Sequence, residues 1–171
     1  MRRILGDRLP RFSPAESALL KGSSDFYGMN TYTSVYIKEK YTPPDPEDYF
    51  GNVEITQIGP DGQPMGPRGE SFWLQDGMPL WFRAKIVPWG FRKILNWAWK
   101  RYGLPIYLTE NGFSIPGENG LDKEKAIDDT ARVHFYEGYL NAMLDAINID
   151  GVKVLGYMAW SLLEYSPLRW Y

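Results

Sequence analysis

Residues 106–112 read Ile-Tyr-Leu-Thr-Glu-Asn-Gly, and in this segment a carboxylate, Glu110, follows an apolar run. The run 106–108 predicts a buried strand, and Asn111-Gly112 predicts a turn after it. In parallel β/α folds the carboxyl ends of the strands carry the chemistry. A carboxylate placed there, as Glu110 is, can serve as a nucleophile, an acid or a base. From these residues alone, a turn-capping glutamate or a tight hairpin at Asn111-Gly112 is the alternative.

Two other segments of the chain end on polar or aromatic side chains in the same way. Residues 25–30 form a mostly apolar run that ends on Asn30, and Tyr32 follows two residues later. Residues 152–161 form a last apolar run that carries Trp160 near its end. Parallel strands bring their carboxyl ends to one edge of a sheet, so these side chains are expected to meet there. The four candidate site residues are Asn30, Tyr32, Glu110 and Trp160.

Helical periodicity and turn signals divide the rest of the chain into elements that could cover such a sheet. The tetrapeptide Ser13-Pro14-Ala15-Glu16 predicts a capped helix start. Apolar residues recur at helical spacing from Trp89 to Gly103 and again over about 125–149. Residues 31–87 predict loop and hairpin, with a strand near 53–58. Strands that alternate with helices predict an α/β fold with a parallel sheet.

The composition argues against several classes of function. The chain of 171 residues suits one domain, 1–171, and its net charge of -2 without a basic run argues against nucleic acid or a membrane surface as partner. There is no Cys and a single His, His134, so neither a metal site nor a cofactor is expected. The start lacks the apolar core of a signal peptide and no long apolar run follows, so a cytoplasmic location is expected.

Aromatic residues make up 16% of the chain, which favours either a large core or a carbohydrate site. The amino-acid sequence of three segments favours the carbohydrate site. The segments DFYGMNTYTS (25–34), IYLTENG (106–112) and GYMAWSLLE (156–164) together resemble the carboxy-terminal part of glycoside hydrolase family 1, the β-glucosidase family. Residues 89–103 and 128–152 agree with it, and the resemblance is greatest to fungal members.

The resemblance implies an incomplete TIM-type (β/α)8 barrel, namely the last three β/α units with a long excursion between β6 and α6. It also implies a retaining glycosidase that acts on β-glucosides or oligosaccharides without a cofactor. By this resemblance Glu110 is the nucleophile and Tyr32 hydrogen-bonds it and keeps it ionised. Asn30 lines the sugar site, and Trp160 is the platform beneath the non-reducing sugar.

The chain also departs from the family pattern. The family's acid/base lies in an Asn-Glu-Pro motif of an earlier strand, and these 171 residues contain no such motif. Residues 75–86 resemble an insertion, and residues 165–171 diverge, so an altered or truncated gene is one hypothesis. Glu164 and Glu118 are the spare candidates for the acid, and Trp73 and Trp81 for contacts with the aglycone.

Three interpretations stay open on the sequence. The chain is a β-glucosidase-type fragment with little hydrolysis of its own, or a catalytically dead sugar-binding or regulatory remnant that associates with a full-length relative. The third is the product of a broken gene. Three parallel strands cannot close a barrel, so self-association through open sheet edges is expected as well.

Overall fold

The computed structural model describes residues 5–43, 45, 47, 53–66, 86–113 and 120–161. A short 3₁₀ turn at Gly6–Arg8 comes first. The helices are α1 (Pro14–Leu20), α2 (Pro88–Tyr102), α3 (Lys123–Ala126) and α4 (Thr130–Asn148). The strands are β1 (Tyr27–Asn30), β2 (Tyr36–Glu39), β3 (Val53–Thr56), β4 (Ile106–Asn111) and β5 (Val154–Ala159). None of the helices within these ranges has the length and apolar character needed to cross a bilayer.

The main sheet has three strands in the order β1-β4-β5, and both pairings are parallel. The crossovers between its strands carry α2 and α4, as parallel strands require. The α/β class with a parallel sheet is therefore confirmed. A separate antiparallel pair, β2 with β3, lies in the excursion between β1 and α2.

The core lies between this sheet and the pair α2 and α4. Helix α2 contributes Phe91, Leu95 and Ala98, which recur at spacings of four and three and so share one face. Helix α4 contributes its own stripe, and the central strand contributes Ile106 and Leu108. The stripe of α4 consists of Phe135, Tyr139, Ala142 and Ala146.

Helix α1 begins as its sequence predicts. The Ser13 hydroxyl accepts from the amide of Glu16, and the Glu16 carboxylate accepts from the amide of Ser13, which completes the capping box. Gly103 ends α2 in the left-handed conformation with φ 65°, which glycine adopts without steric cost.

The prediction of one helix over 125–149 is wrong. The segment forms α3 and α4, with a break after Ile127, which is exposed rather than on the buried face. Asp129 causes the break because its side chain accepts from the amide of Arg132 and caps a new helix. The same carboxylate pairs with the buried Arg132 guanidinium at 2.7 Å.

An ion-pair clamp ties the two core helices together at their ends. The Arg92 Nε and Nη2 atoms donate to both oxygens of Asp150 at 2.7 and 2.9 Å, and Nη1 donates to Asp145 at 2.9 Å. The Asn96 amide adds a bond to Asp150 at 2.7 Å. These donors lower the pKa of Asp150 to about 2, with the Arg92 hydrogen bond as the largest cause.

We expect the clamp to make stability depend on acid pH. Because the folded pKa of Asp150 lies below its ordinary 3.8, its contribution is complete above about pH 4 and disappears as pH falls toward 2. Asp150→Asn should lower Tm by a few degrees at pH 7 and have little effect near pH 2. Thermal unfolding followed by circular dichroism measures this, with Asp25→Asn on an exposed residue as the control. A Tm difference that persists unchanged down to pH 2 would contradict the clamp.

Candidate active site

The carboxyl ends of β1 and β4 meet where the chain leaves the sheet. In the register of this pair Asn30 lies opposite Glu110, after an irregularity between Met29 and Asn30. The Thr31 amide then donates to the Glu110 carbonyl at 3.0 Å, so the pairing continues one residue beyond β1. Tyr32 is the next residue after this contact.

The side chains of Tyr32 and Glu110 are in direct contact. The Tyr32 hydroxyl donates to Oε2 of Glu110, and both residues are half-buried. Burial raises the pKa of Tyr32, and the hydrogen bond to Glu110 raises it further. The phenol therefore keeps its proton and stays a donor through neutral pH. Within the described residues the Glu110 carboxylate accepts no other hydrogen bond, so Oε1 has no hydrogen-bond partner among them.

An irregular register explains why Glu110 is accessible. The buried residues Ile106 and Leu108 alternate regularly, and continued alternation would bury Glu110 and expose Asn111. Instead Glu110 is half-buried and Asn111 is fully buried, because the pairing with β5 shifts between Leu108 and Asn111. Register irregularities of this kind re-aim side chains at the rims of sheets.

The prediction that Asn111-Gly112 forms a turn is wrong, and so is the hairpin alternative. Asn111 is the last residue of β4, which pairs in parallel with both neighbours. Gly112 has a packing role, since a Cβ there would collide with the carbonyl oxygen of Trp160. The glycine thus permits the exits of β4 and β5 to touch.

The two remaining candidates lie on the same edge. Asn30 is exposed, and its Oδ1 accepts from the Thr109 hydroxyl at 2.6 Å, which orients the amide. The Trp160 amide donates to the Asn111 carbonyl at 2.8 Å, so Trp160 directly follows the paired part of β5. Its side chain is 53% exposed. The four candidates therefore come from three adjacent strand ends.

Sequence reasoning missed two tyrosines that support this edge. The Tyr139 hydroxyl donates to the Tyr32 carbonyl and accepts from the Val87 amide, both at 3.1 Å, and burial raises its pKa to about 12. The Tyr157 hydroxyl donates to Oδ1 of Asn111 at 2.6 Å. Helical spacing alone places Tyr139 on the buried face of α4, but nothing local in the sequence indicates either hydroxyl's partner.

Other candidates from the sequence lie outside the described residues. These are Glu118, Glu164, Trp73 and Trp81, together with most of 75–86 and all of 165–171. His134 is on the exposed side of α4. In the part of the chain that the structure covers, no three His, Cys, Asp or Glu side chains cluster as metal ligands would.

Comparison with proteins of known sequence agrees with the resemblance seen in the motifs. The family model for glycosyl hydrolase family 1 matches residues 1–170. Beta-glucosidase 1B of Phanerodontia chrysosporium is 47% identical over 164 residues, which are 96% of this chain and 28% of that protein. Beta-glucosidase 4 of Oryza sativa subsp. japonica is 41% identical over 96% of this chain and 32% of its own length.

Solved structures of beta-glucosidases are also similar to this chain. Beta-glucosidase 2 of the fungus Trichoderma reesei, crystallised with Tris, is 48% identical with a TM-score of 0.79 over 95% of this chain and 33% of that chain. A beta-glucosidase of the fungus Humicola insolens, in complex with glucose, is 47% identical with a TM-score of 0.79 over 95% of this chain and 32% of that chain. This chain thus spans about a third of the length of these relatives, and it belongs to glycosyl hydrolase family 1.

Proposed function

We propose that this chain supplies the nucleophile side of a retaining β-glucosidase site. Glu110 is the nucleophile, and Tyr32 orients it. Asn30 and Trp160 bind the sugar. In this proposal β1, β4 and β5 correspond to the last three of the eight β/α units of the family's barrel. The hydrogen bond from Tyr32 to Oε2 of Glu110 carries the proposal, since it holds the carboxylate through one oxygen and does not engage Oε1.

The chemistry follows from this geometry. Oε1 of Glu110 attacks the anomeric carbon, a C–O ester bond forms, and the aglycone leaves with the electron pair of the glycosidic bond. Tyr32 stays protonated, so it can donate to Oε2 of Glu110 both in the free enzyme and while the ester forms. Water then hydrolyses the ester with retention of configuration.

A retaining glycosidase also needs a general acid, at about 5–5.5 Å from the nucleophile. That acid protonates the leaving oxygen and typically contributes about 10²–10⁴-fold to the rate. The Asn-Glu-Pro motif that carries it in this family does not occur among these 171 residues. We therefore expect the chain by itself to cleave only glucosides whose leaving group needs no proton.

An activated glucoside tests the nucleophile separately from the acid. A dinitrophenyl β-glucoside with fluorine next to the anomeric carbon releases dinitrophenolate without protonation and forms a slowly hydrolysed glycosyl ester. Intact-protein and peptide mass spectrometry should find one adduct, on Glu110. Glu110→Gln should form none, because the amide is a poor nucleophile.

Glu137→Gln, on the exposed face of α4, is the matched control and should label like the natural chain. Circular dichroism confirms that all three proteins are folded. An adduct that forms equally in Glu110→Gln, or that maps to another residue, contradicts the assignment.

Tyr32→Phe tests the orienting role. The substitution removes one hydrogen bond to a charged group, so labelling should slow by about tenfold to hundredfold while the adduct stays on Glu110. The rate constant of dinitrophenolate release measures this. An unchanged rate in a folded variant would show that the phenol does not assist.

The second candidate function is sugar binding without turnover. The exposed Trp160 ring and the exposed Asn30 amide favour it, because flat rings and amides suit pyranose faces and hydroxyls. A full-length relative, or a second copy of the chain paired at the outer edges of β1 and β5, would be the partner. Calorimetric titration with a β-glucoside should then show binding that Trp160→Ala weakens and Glu110→Gln leaves unchanged. Equal affinity in Trp160→Ala would exclude the ring as a platform.

A further inference from the structure

We propose that Asn111 and Tyr157 form a positioning pair that holds Tyr32 in place against Glu110. The inference rests on the proposed function, because it names residues that act on the proposed nucleophile through Tyr32. It arises from a chain of hydrogen bonds that begins on β5, passes through the end of β4 and ends on the backbone that carries Tyr32.

Asn111 is the centre of this chain. Its side chain is fully buried, and both the nitrogen and the oxygen of its side-chain amide have hydrogen-bond partners. Nδ2 donates to the Thr31 carbonyl at 2.7 Å, and Oδ1 accepts from the Tyr157 hydroxyl at 2.6 Å. The Thr31 carbonyl can only accept, so the amide nitrogen must face it and the amide oxygen must face Tyr157. The orientation of Asn111 therefore follows from its partners.

The Thr31 residue is bracketed by two consecutive residues of β4. Its amide donates to the Glu110 carbonyl at 3.0 Å, and its carbonyl accepts from Asn111. Both polar groups of this backbone unit are thus tied to the strand that carries the nucleophile. The next residue is Tyr32, whose own carbonyl is held by the Tyr139 hydroxyl at 3.1 Å. The backbone leading to the phenol is anchored from both sides.

Tyr157 fixes the Asn111 side chain. Its hydroxyl is the partner of Oδ1 in a half-buried position, and burial raises its pKa, so it remains a donor. Removing that hydroxyl leaves a buried amide oxygen without a partner, which is more costly than the loss of one exposed bond. Asn111 would then rotate or shift, and Thr31 and Tyr32 would lose their support.

Tyr32 is supported by Tyr139 and by the Asn111–Tyr157 pair, and the loss of each would have a different effect. Tyr139 is packed in the core against Phe91 and Phe135, so its removal affects the whole helical layer. Tyr157→Phe removes only one oxygen and keeps the ring. It is therefore the sharper variant, and Asn111→Ala is the second.

The experiment measures labelling by the dinitrophenyl fluoroglucoside in a double-variant cycle. Tyr157→Phe and Asn111→Ala should each slow labelling by about tenfold, which is the effect of one lost hydrogen bond of typical strength. In the Tyr32→Phe background neither substitution should slow it further, because both act through the phenol. Tyr107→Phe, on the same strand as Asn111, should label at the natural rate.

A second readout does not depend on turnover. In proton NMR the Tyr32 hydroxyl, held by a carboxylate, should give a downfield signal that disappears in Tyr32→Phe. Tyr157→Phe should move this signal upfield and speed its exchange with water, whereas Tyr107→Phe should not. If the natural chain forms no adduct, the proposed function fails, and the NMR result alone decides the inference.

Two outcomes would overturn the positioning pair. One is equal slowing by Tyr157→Phe with and without the Tyr32 hydroxyl, which would indicate a general structural effect. The other is an unchanged Tyr32 hydroxyl signal in folded Tyr157→Phe and Asn111→Ala. Circular dichroism establishes folding in each case, and if Asn111→Ala does not fold, Tyr157→Phe still decides between the outcomes.

Discussion

The parallel pairing of β4 with both β1 and β5 is the constraint on which the rest of the structure depends. Backbone bonds fix the β5 side at both ends of β4: the Ile106 amide donates to the Lys153 carbonyl at 2.8 Å, and the Trp160 amide donates to the Asn111 carbonyl at 2.8 Å. On the β1 side the Tyr27 amide donates to the Pro105 carbonyl at 2.8 Å. Because the strands are parallel, all three chain exits lie at one edge. A slip by one residue would exchange the faces of every side chain on β4, so the pairing itself determines whether the Glu110 side chain is half-buried, as observed, or enters the core.

The helical layer makes that register costly to change. Helices α2 and α4 cover one face of the sheet, and Ile106 and Leu108 are fully buried beneath them. Exposing those two side chains would cost about 1.5–3 kcal/mol each. The core therefore selects the register, and the irregularity after Leu108 then turns Glu110 outward and Asn111 inward. The packing of β4 against the helices therefore also determines the geometry at the end of this strand.

Two tyrosine hydroxyls and one buried amide complete the site edge, where apolar packing alone would leave backbone carbonyls unpaired. Tyr139 satisfies the Tyr32 carbonyl, Asn111 satisfies the Thr31 carbonyl, and Tyr157 satisfies Asn111. Buried polar networks rigidify a structure when every member is paired. Such rigidity suits a carboxylate that must keep one oxygen bonded and the other free, which is the arrangement proposed for Glu110.

The sequence by itself determined the α/β class and the family. Alternating strands and helices predicted a parallel α/β fold, and the three motifs indicated glycosyl hydrolase family 1, because both kinds of signal are local in the chain. The break before α4 was not predicted, because the apolar spacing continues across it and conceals the capping role of Asp129. Only the tertiary structure decided that Asn111 is buried rather than in a turn, and that Tyr139 and Tyr157 support the site. Their partners are far away in sequence, as Thr31 is from Asn111, and a hydrogen bond between distant residues exists only once the core has fixed the register that brings them together.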